Sequence, residues 1–363
     1  MSAPANDPAL AELRDRVRAA AATRTPLCIR GAGTKDFYGQ PPVGEPLDMR
    51  GWRGIVSYEP TELVIRARCG TPLAEVEAAL TGRNQMLAFE PPSFDADATI
   101  GGVIAAGLSG PRRASAGAVR DFVLGATLLD AAGRALRFGG QVMKNVAGYD
   151  VSRLACGSLG ILGPIVEVSL KVLPRPVKEI SVRLRIDEAD ALRAINAWGG
   201  QPLPLSASAW CEGVLTLRLS GAPGAVEAAA ARFERERGAQ RLDAGQASAY
   251  WAGIREHSDA FFAGARPLWR LSLPATAPVL GLPGARLFEW GGAQRWLRSD
   301  APAETVRTAA VRVGGTATLF RGGDRMAGVF HPLAPANAAL QRRLKEAFDP
   351  GRIFNPGRLY PDL

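Results

Sequence analysis

A chain of 363 residues is past the ~250–300 residues at which a single hydrophobic core usually stops growing, so two domains are expected. With 47% hydrophobic and 22% charged residues it has the composition of an ordinary globular protein, neither disordered nor membrane-spanning. The net charge of +9 is carried by arginines spread along the chain, with five lysines and no basic run longer than Arg112-Arg113 or Arg342-Arg343; this excludes a nucleic-acid stripe and leaves coding bias, an anionic ligand or a protein partner as its source.

Asp7 and Pro8 are cap and first-turn residues, and Leu10, Leu13 and Val17 repeat at helical spacing, which predicts a first helix to about Ala22. A strand over Pro26–Arg30, a Gly- and Pro-rich loop from Gly31 to Pro46, strands near Ile55–Tyr58 and Leu63–Arg68 and a helix from Thr71-Pro72 follow. Residues 94–120 are small and turn-rich, and strands over Phe122–Leu129 and Ala135–Phe138 flank a turn at Asp130–Gly133. Ile165–Leu173 alternates Val166, Val168, Leu170 and Val172 with Glu167, Ser169 and Lys171, which predicts a strand with one buried and one wet face.

Pro174-Arg-Pro176 breaks that pattern and places a domain boundary, giving domains over 1–175 and 176–334 and a C-terminal segment, 335–363, that returns to the first. Trp210 and Trp290 are 80 residues apart, and Pro223 and Pro302 are 79 apart. The spacing predicts two βαββα units forming one antiparallel sheet covered by helices. A last helix is expected near Ala336–Phe348.

Cys28, Cys69, Cys156 and Cys211 lie more than 40 residues apart and the histidines are His257 and His331 alone. A local iron–sulfur or zinc motif and a His-rich metal site are thereby excluded, and no metal is expected. There is no G-x-S-x-G, which excludes a nucleophile elbow. The most apolar run, Thr99–Leu108, has ten residues against the ~20 needed to cross a bilayer. The N-terminus carries charges where a secretory signal is apolar, so a cytoplasmic location is expected.

Three stretches could carry chemistry. Gly31-Ala32-Gly33-Thr34-Lys35 follows a strand but lacks the third glycine and the helix of a dinucleotide fingerprint, which leaves a plain turn or an anion-binding nest of backbone N–H groups. Pro91-Pro92…Thr99-Ile100-Gly101-Gly102…Ser109-Gly110 is either a small-residue packed helix or a place where backbone approaches a flat or charged ligand. Lys144–Asp150 and Leu154–Gly163 set polar groups before a tight turn leading into the regular strand.

Taken in order, RGAGT, EPP…ATIGG, DFVLGATLLDAAGR, KNVAGYDVSRLACGSLGILGPIVEVSLKVLP and FDPGRIFNPGRLY resemble the FAD-binding flavoprotein family of vanillyl-alcohol oxidase or PCMH type, over almost the whole chain. KNVAGYD, FRGGD and FNPGRLY resemble the FAD-binding subunits of glycolate oxidases within it. The resemblance implies an α+β fold: a two-subdomain FAD-binding domain followed by an α+β cap with an antiparallel sheet. It implies that Arg30, Gly31, Ala32, Gly33, Thr34 and Lys35 form the pyrophosphate loop. Pro92, Thr99, Ile100, Gly101, Gly102, Ser109 and Gly110 would lie along the diphosphate and ribityl chain, and Gly160, Ile161, Gly163, Ile165 and Asn355 near the flavin ring.

Thr34 and Lys35 stand where flavin-linking relatives carry histidine, so FAD is expected to be non-covalent. Leu159 replaces a glutamate common in relatives, and the metal-binding histidine cluster of their caps is missing, with His331 its candidate remnant. The implied reaction is transfer of hydride from a 2-hydroxy acid to flavin, glycolate becoming glyoxylate, with Tyr149, Arg321 and His331 as candidate catalytic residues. Implied partners are a second flavoprotein subunit and an iron–sulfur subunit, through which the chain would sit at the inner membrane. The alternatives are a self-sufficient 2-hydroxy-acid dehydrogenase and a flavin-containing scaffold without turnover.

Overall fold

The computed structural model describes residues 7–140 and 150–363. Asp7 caps helix α1 (Pro8–Thr23), its carboxylate accepting from the N–H of Ala9. Strand β1 (Leu27–Arg30) pairs in parallel with β2 (Glu45–Asp48), which begins inside the segment expected to be loop and was not expected as a strand. Leu10, Leu13 and Val17 of α1 pack on Leu27, Leu47 and Trp52, forming one small core.

The second layer is an antiparallel sheet of β3 (Ile55–Glu59), β4 (Val64–Arg68), β5 (Val123–Leu129), β6 (Ala135–Gly139) and β7 (Ile165–Lys171), in the order β3-β4-β7-β5-β6. Helices α2 (Leu73–Thr81) and α3 (Ile100–Ala106) cover it with Leu73, Val76, Leu80, Val103 and Ile104. Strand β7 departs from its expected wet face. It is the central strand, and Glu167 and Ser169 are buried because Arg66 on β4 reaches diagonally across to Glu167 at 2.9 Å.

The cap begins with β8 (Lys178–Arg185), α4 (Glu188–Gly199), β9 (Leu205–Cys211), β10 (Val214–Gly221) and α5 (Pro223–Arg237). After α6 (Ala244–Glu256) come β11 (Leu268–Ser272), β12 (Ala285–Glu289), β13 (Gln294–Arg298), α7 (Ala303–Arg312) and β14 (Thr316–Arg321). The eight-stranded sheet runs from the two-residue strand Gln240–Arg241 through β8-β10-β9-β12-β13-β11 to β14, so its halves mirror each other about the β9–β12 seam. At that seam Trp210 stacks on Phe288 with ring centroids 5.5 Å apart. The repeat is incomplete. The second unit has no counterpart of α4, because Pro274, Pro278 and Pro283 interrupt the 273–284 connection.

Strand alternation sorts the cap sheet's faces. Leu215, Leu217, Trp269 and Leu271 meet α4, α5 and α7, while Arg218, Arg270, Glu289, Trp296 and Phe320 turn to the other face, toward α6 and the first domain. Helix α8 (Pro335–Phe348) then carries the chain back. Phe354 bridges in parallel to Leu27 beside β1.

Candidate functional site

Residues 31–35 leave β1 as a series of turns, with Gly33 at φ +76°. Among the described residues, no group accepts from the backbone N–H of Gly31, Ala32, Gly33, Thr34 or Lys35. All five residues line one cleft, together with Thr99, Gly102, Ala105, Leu159, Asn355 and Arg358. Arg30 also lines it and pairs with Asp36 at 2.5 Å. Burial pulls the Lys35 ammonium down to about 8; it donates to the Ser93 carbonyl at 3.1 Å.

Across the cleft, the Thr99 hydroxyl accepts from the N–H of Gly102 at 3.2 Å and caps α3. The cleft continues into an apolar slot walled by Ile29, Met49, Cys69, Gly101, Gly160, Gly163 and Ile165. Asn355 holds the two sides in register. Its Oδ1 accepts from the N–H of Ile29 at 2.6 Å, and its Nδ2 donates to the carbonyl of Leu159 at 2.6 Å.

The remaining residues singled out in the sequence are dispersed. Ile100 and Ile161 are buried in the core beneath the cleft rather than on its wall. Pro92, Ser109 and Gly110 line a separate cavity between the 92–110 segment and the cap. Arg321 stacks over the ring of Phe37 at 4.3 Å. His331 lines neither space; its Nδ1 accepts from the N–H of Ala317 on β14 at 3.4 Å. Tyr149 and the Lys144–Tyr149 stretch lie outside the described residues.

The interdomain cavity also contains residues that the sequence reading missed: His257, Arg270, Glu289, Gln294, Trp296 and Phe320. The only sequence signal for them is strand alternation, which puts Arg270, Glu289 and Gln294 on polar positions of three separate strands. Glu289 Oε1 accepts from Trp296 Nε1 at 2.8 Å and Gln294 Nε2 at 2.6 Å. Burial pushes this carboxyl up to about 7. His257, stacked on Phe262 at 4.1 Å, is held well below the usual imidazole range by burial and then by Arg321 and Arg270, so it is neutral.

The cleft and slot fit FAD. Five consecutive unpartnered N–H groups suit a pyrophosphate, and the small-residue slot leading from them suits a flat ring and its chain. Profiles described as FAD binding domain and as FAD linked oxidases, C-terminal domain, match residues 9–139 and 322–359. The chain is 48% identical over 351 residues to glycolate oxidase subunit GlcE of Escherichia coli (strain K12), covering 97% of both. Glycolate oxidase subunit GlcD of Bacillus subtilis (strain 168) is 31% identical over 170 residues, 46% of this chain and 36% of that protein. In fold, the chain matches alkyldihydroxyacetonephosphate synthase with a TM-score of 0.67 at 15% identity, over 95% of this chain and 74% of the other. The expected α+β, PCMH-type fold with its antiparallel cap sheet is borne out. By the full-length identity and the two matched domains, the chain belongs to the family of FAD-linked oxidases that includes glycolate oxidase subunit GlcE.

Proposed function

We propose that the chain is the FAD-binding subunit of an enzyme that oxidises glycolate to glyoxylate, with its FAD held non-covalently. The observation that carries this reading is 48% identity along 97% of both chains to a glycolate oxidase subunit; the row of unpartnered N–H groups at Gly31–Lys35 supports it. Bound there, FAD supplies the two-electron acceptor for the hydride leaving the α-carbon. The N–H groups of Gly31–Lys35 bind the pyrophosphate, Gly102 leaves room for it beside Thr99, and Asn355 fixes the slot against β1. Neither histidine lines the cleft, which supports non-covalent attachment.

Electrons must leave the reduced cofactor, and four cysteines spaced more than 40 residues apart offer no local cluster motif. We therefore place the chain beside a second flavoprotein subunit, of the kind GlcD exemplifies, and an iron–sulfur subunit, in the cytoplasm and against the membrane only through those partners. No helix of the described residues is long and apolar enough to cross a membrane.

An absorption spectrum of the purified chain before and after acid precipitation tests the cofactor, with FAD expected in the supernatant. Flavin remaining in the precipitate would overturn non-covalent attachment, and a colourless chain that fails to take up added FAD would overturn the whole reading. Sustained glycolate-to-dye turnover is expected on co-expression with the two partners. Full turnover by the homogeneous chain would overturn the need for them.

A further inference from the structure

No residue of the 176–334 domain lines the cofactor cleft or its slot. Glu256, the last residue of α6, nevertheless reaches the segment that borders them. Its Oε2 accepts from the N–H of Ser93 at 2.9 Å, the Ser93 hydroxyl at 2.8 Å and the N–H of Phe94 at 2.8 Å. Its Oε1 accepts from Arg255 Nε at 2.7 Å. A carboxylate in the last turn of a helix runs against the helix dipole, so its donors, not α6 itself, account for its place.

The turn that Glu256 grips is the one that holds Lys35. Phe94 has φ +58°, a left-handed backbone that a side chain disfavours, and the carboxylate fixes its N–H. The Ser93 carbonyl accepts from Lys35 Nζ at 3.1 Å, and the ammonium lies 5.4 Å from the centre of the Phe94 ring. A second donor of Lys35 goes to Thr34 Oγ1 at 3.2 Å, and the third has no acceptor among the described residues. Lys35 lines the cleft beside the unpartnered N–H groups. We propose that Glu256 is a positioning residue supplied by the cap for the cofactor: by gripping the Ser93–Phe94 turn, it holds the Lys35 ammonium in the cleft as a counter-charge to the FAD pyrophosphate. The proposal rests on the FAD-binding reading above and adds to it a contribution from the cap.

The electrostatics agree. Burial pulls Lys35 down to about 8, and the Glu256 carboxylate opposes that fall. The other charges nearby are otherwise engaged. Arg30 and Asp36 pair with each other at 2.5 Å, Arg358 donates to the Lys35 carbonyl at 3.4 Å, and Arg321 lies over the far-side rings of Phe37 and Phe94. His257, 5.1 Å from the Phe94 ring, is neutral, Cys28 is pushed up by burial, and Asp95 on the same turn is exposed. A protonated Lys35 attracts the pyrophosphate and a neutral one does not, so FAD affinity falls as pH rises through about 8. Without the Glu256 charge, that fall begins at lower pH.

The test uses the full chain, stripped of FAD, as wild type, Glu256→Gln and Lys35→Met. The amide oxygen introduced by Glu256→Gln can still accept from the turn, so this variant should melt close to wild type. FAD affinity is read from the change in flavin fluorescence on binding, at a series of pH values. Lys35 itself is followed without FAD by NMR of isotope-labelled lysine; the chain has five lysines, and Lys35→Met assigns the signal. From about pH 6 to about pH 8, wild type should lose about twofold in affinity and Glu256→Gln about fivefold or more. Lys35→Met should bind about tenfold more weakly at the low end and show no such fall. The Lys35 signal should titrate near 8 in wild type and lower in Glu256→Gln. A packing role alone would lower the melting temperature and leave both pH profiles in place; an unshifted Lys35 titration in Glu256→Gln, or a wild-type affinity profile in either variant, would overturn the proposal. A chain whose Lys35 titration shifts with Glu256 but which takes up FAD at no pH would overturn the FAD-binding reading and leave the link from Glu256 to Lys35 standing.

Discussion

Two adjacent glycines on α3 have different reasons to be glycine. A Cβ at Gly101 would lie 2.7 Å from Cys69 Cβ and 2.8 Å from the Cys69 carbonyl, so this position is a packing contact against the end of β4. A Cβ at Gly102 would meet only Thr99 Oγ1 at 3.3 Å, and this residue lines both the cleft and the slot. Gly102→Val is therefore expected to fold, with circular dichroism and melting close to wild type, but to lose FAD because its branches occupy the ligand's volume. Gly101→Val should instead destabilise the domain by about 1–3 kcal/mol or more through overpacking, lowering its melting temperature. A Gly102→Val protein with normal flavin content would refute this division. The ATIGG pattern marked both glycines, and both line the slot, but nothing in it tells which one is also packed against protein. That distinction depends on Cys69, 32 residues upstream.

At the level of elements, the C-terminal segment fastens the flavin side of the first domain. Lys345 on α8 is fully buried, and its three donors are spent on the Ile161 carbonyl at 2.8 Å, Asp349 Oδ2 at 2.7 Å and the Phe354 carbonyl at 2.7 Å. Asp349 in turn accepts from the N–H groups of Ile353 and Phe354. Removing one member of a buried pair costs about 3–5 kcal/mol, because the other charge is left without compensation. Lys345→Met should thus lower the melting temperature and speed FAD loss, since the turn at Gly160–Gly163 loses its anchor; Lys345→Met with Asp349→Asn should recover part of both. Unchanged FAD release from the single variant would disconnect the strap from the cofactor site. Periodicity and caps made α1, β7, α8 and most strands of the first domain legible in the sequence. Strand β2 was hidden because Glu45-Pro46-Leu47-Asp48 has no alternation and pairs only through β1. The Arg270–Gln294–Glu289 chain was hidden for a related reason: its members become neighbours only once three cap strands find their register.

For the whole molecule, the two domains are clamped by charge as well as by apolar contact. Glu90, before α3, takes Arg112 of its own domain at 3.3 Å and Arg218 of the cap at 2.9 Å, and Trp290 of the cap donates to the Gly110 carbonyl at 3.0 Å. Burial alone would push the Glu90 carboxyl up, but Arg218 and then Arg112 outweigh it and hold the group below its usual 4.5. A carboxylate held lower in the folded than in the unfolded chain adds stability above the unfolded value and loses it as pH falls through the folded one. Glu90→Gln leaves the buried guanidinium groups of Arg112 and Arg218 with only the part-exposed Glu179 as a carboxylate partner and should cost about 3 kcal/mol at pH 7. The deficit should shrink as pH is lowered beneath 4.5, because wild-type Glu90 is then protonated too. Because the cleft at Gly31–Lys35 does not contain Glu90, the variant should keep its FAD while trypsin cuts faster at Lys171 and Lys178, which flank the junction the clamp restrains. Melting curves across pH, flavin content and a digestion time course read the three effects separately. A pH-independent deficit, or one accompanied by loss of FAD at pH 7, would show that Glu90 serves the first domain's own fold rather than the seam between domains.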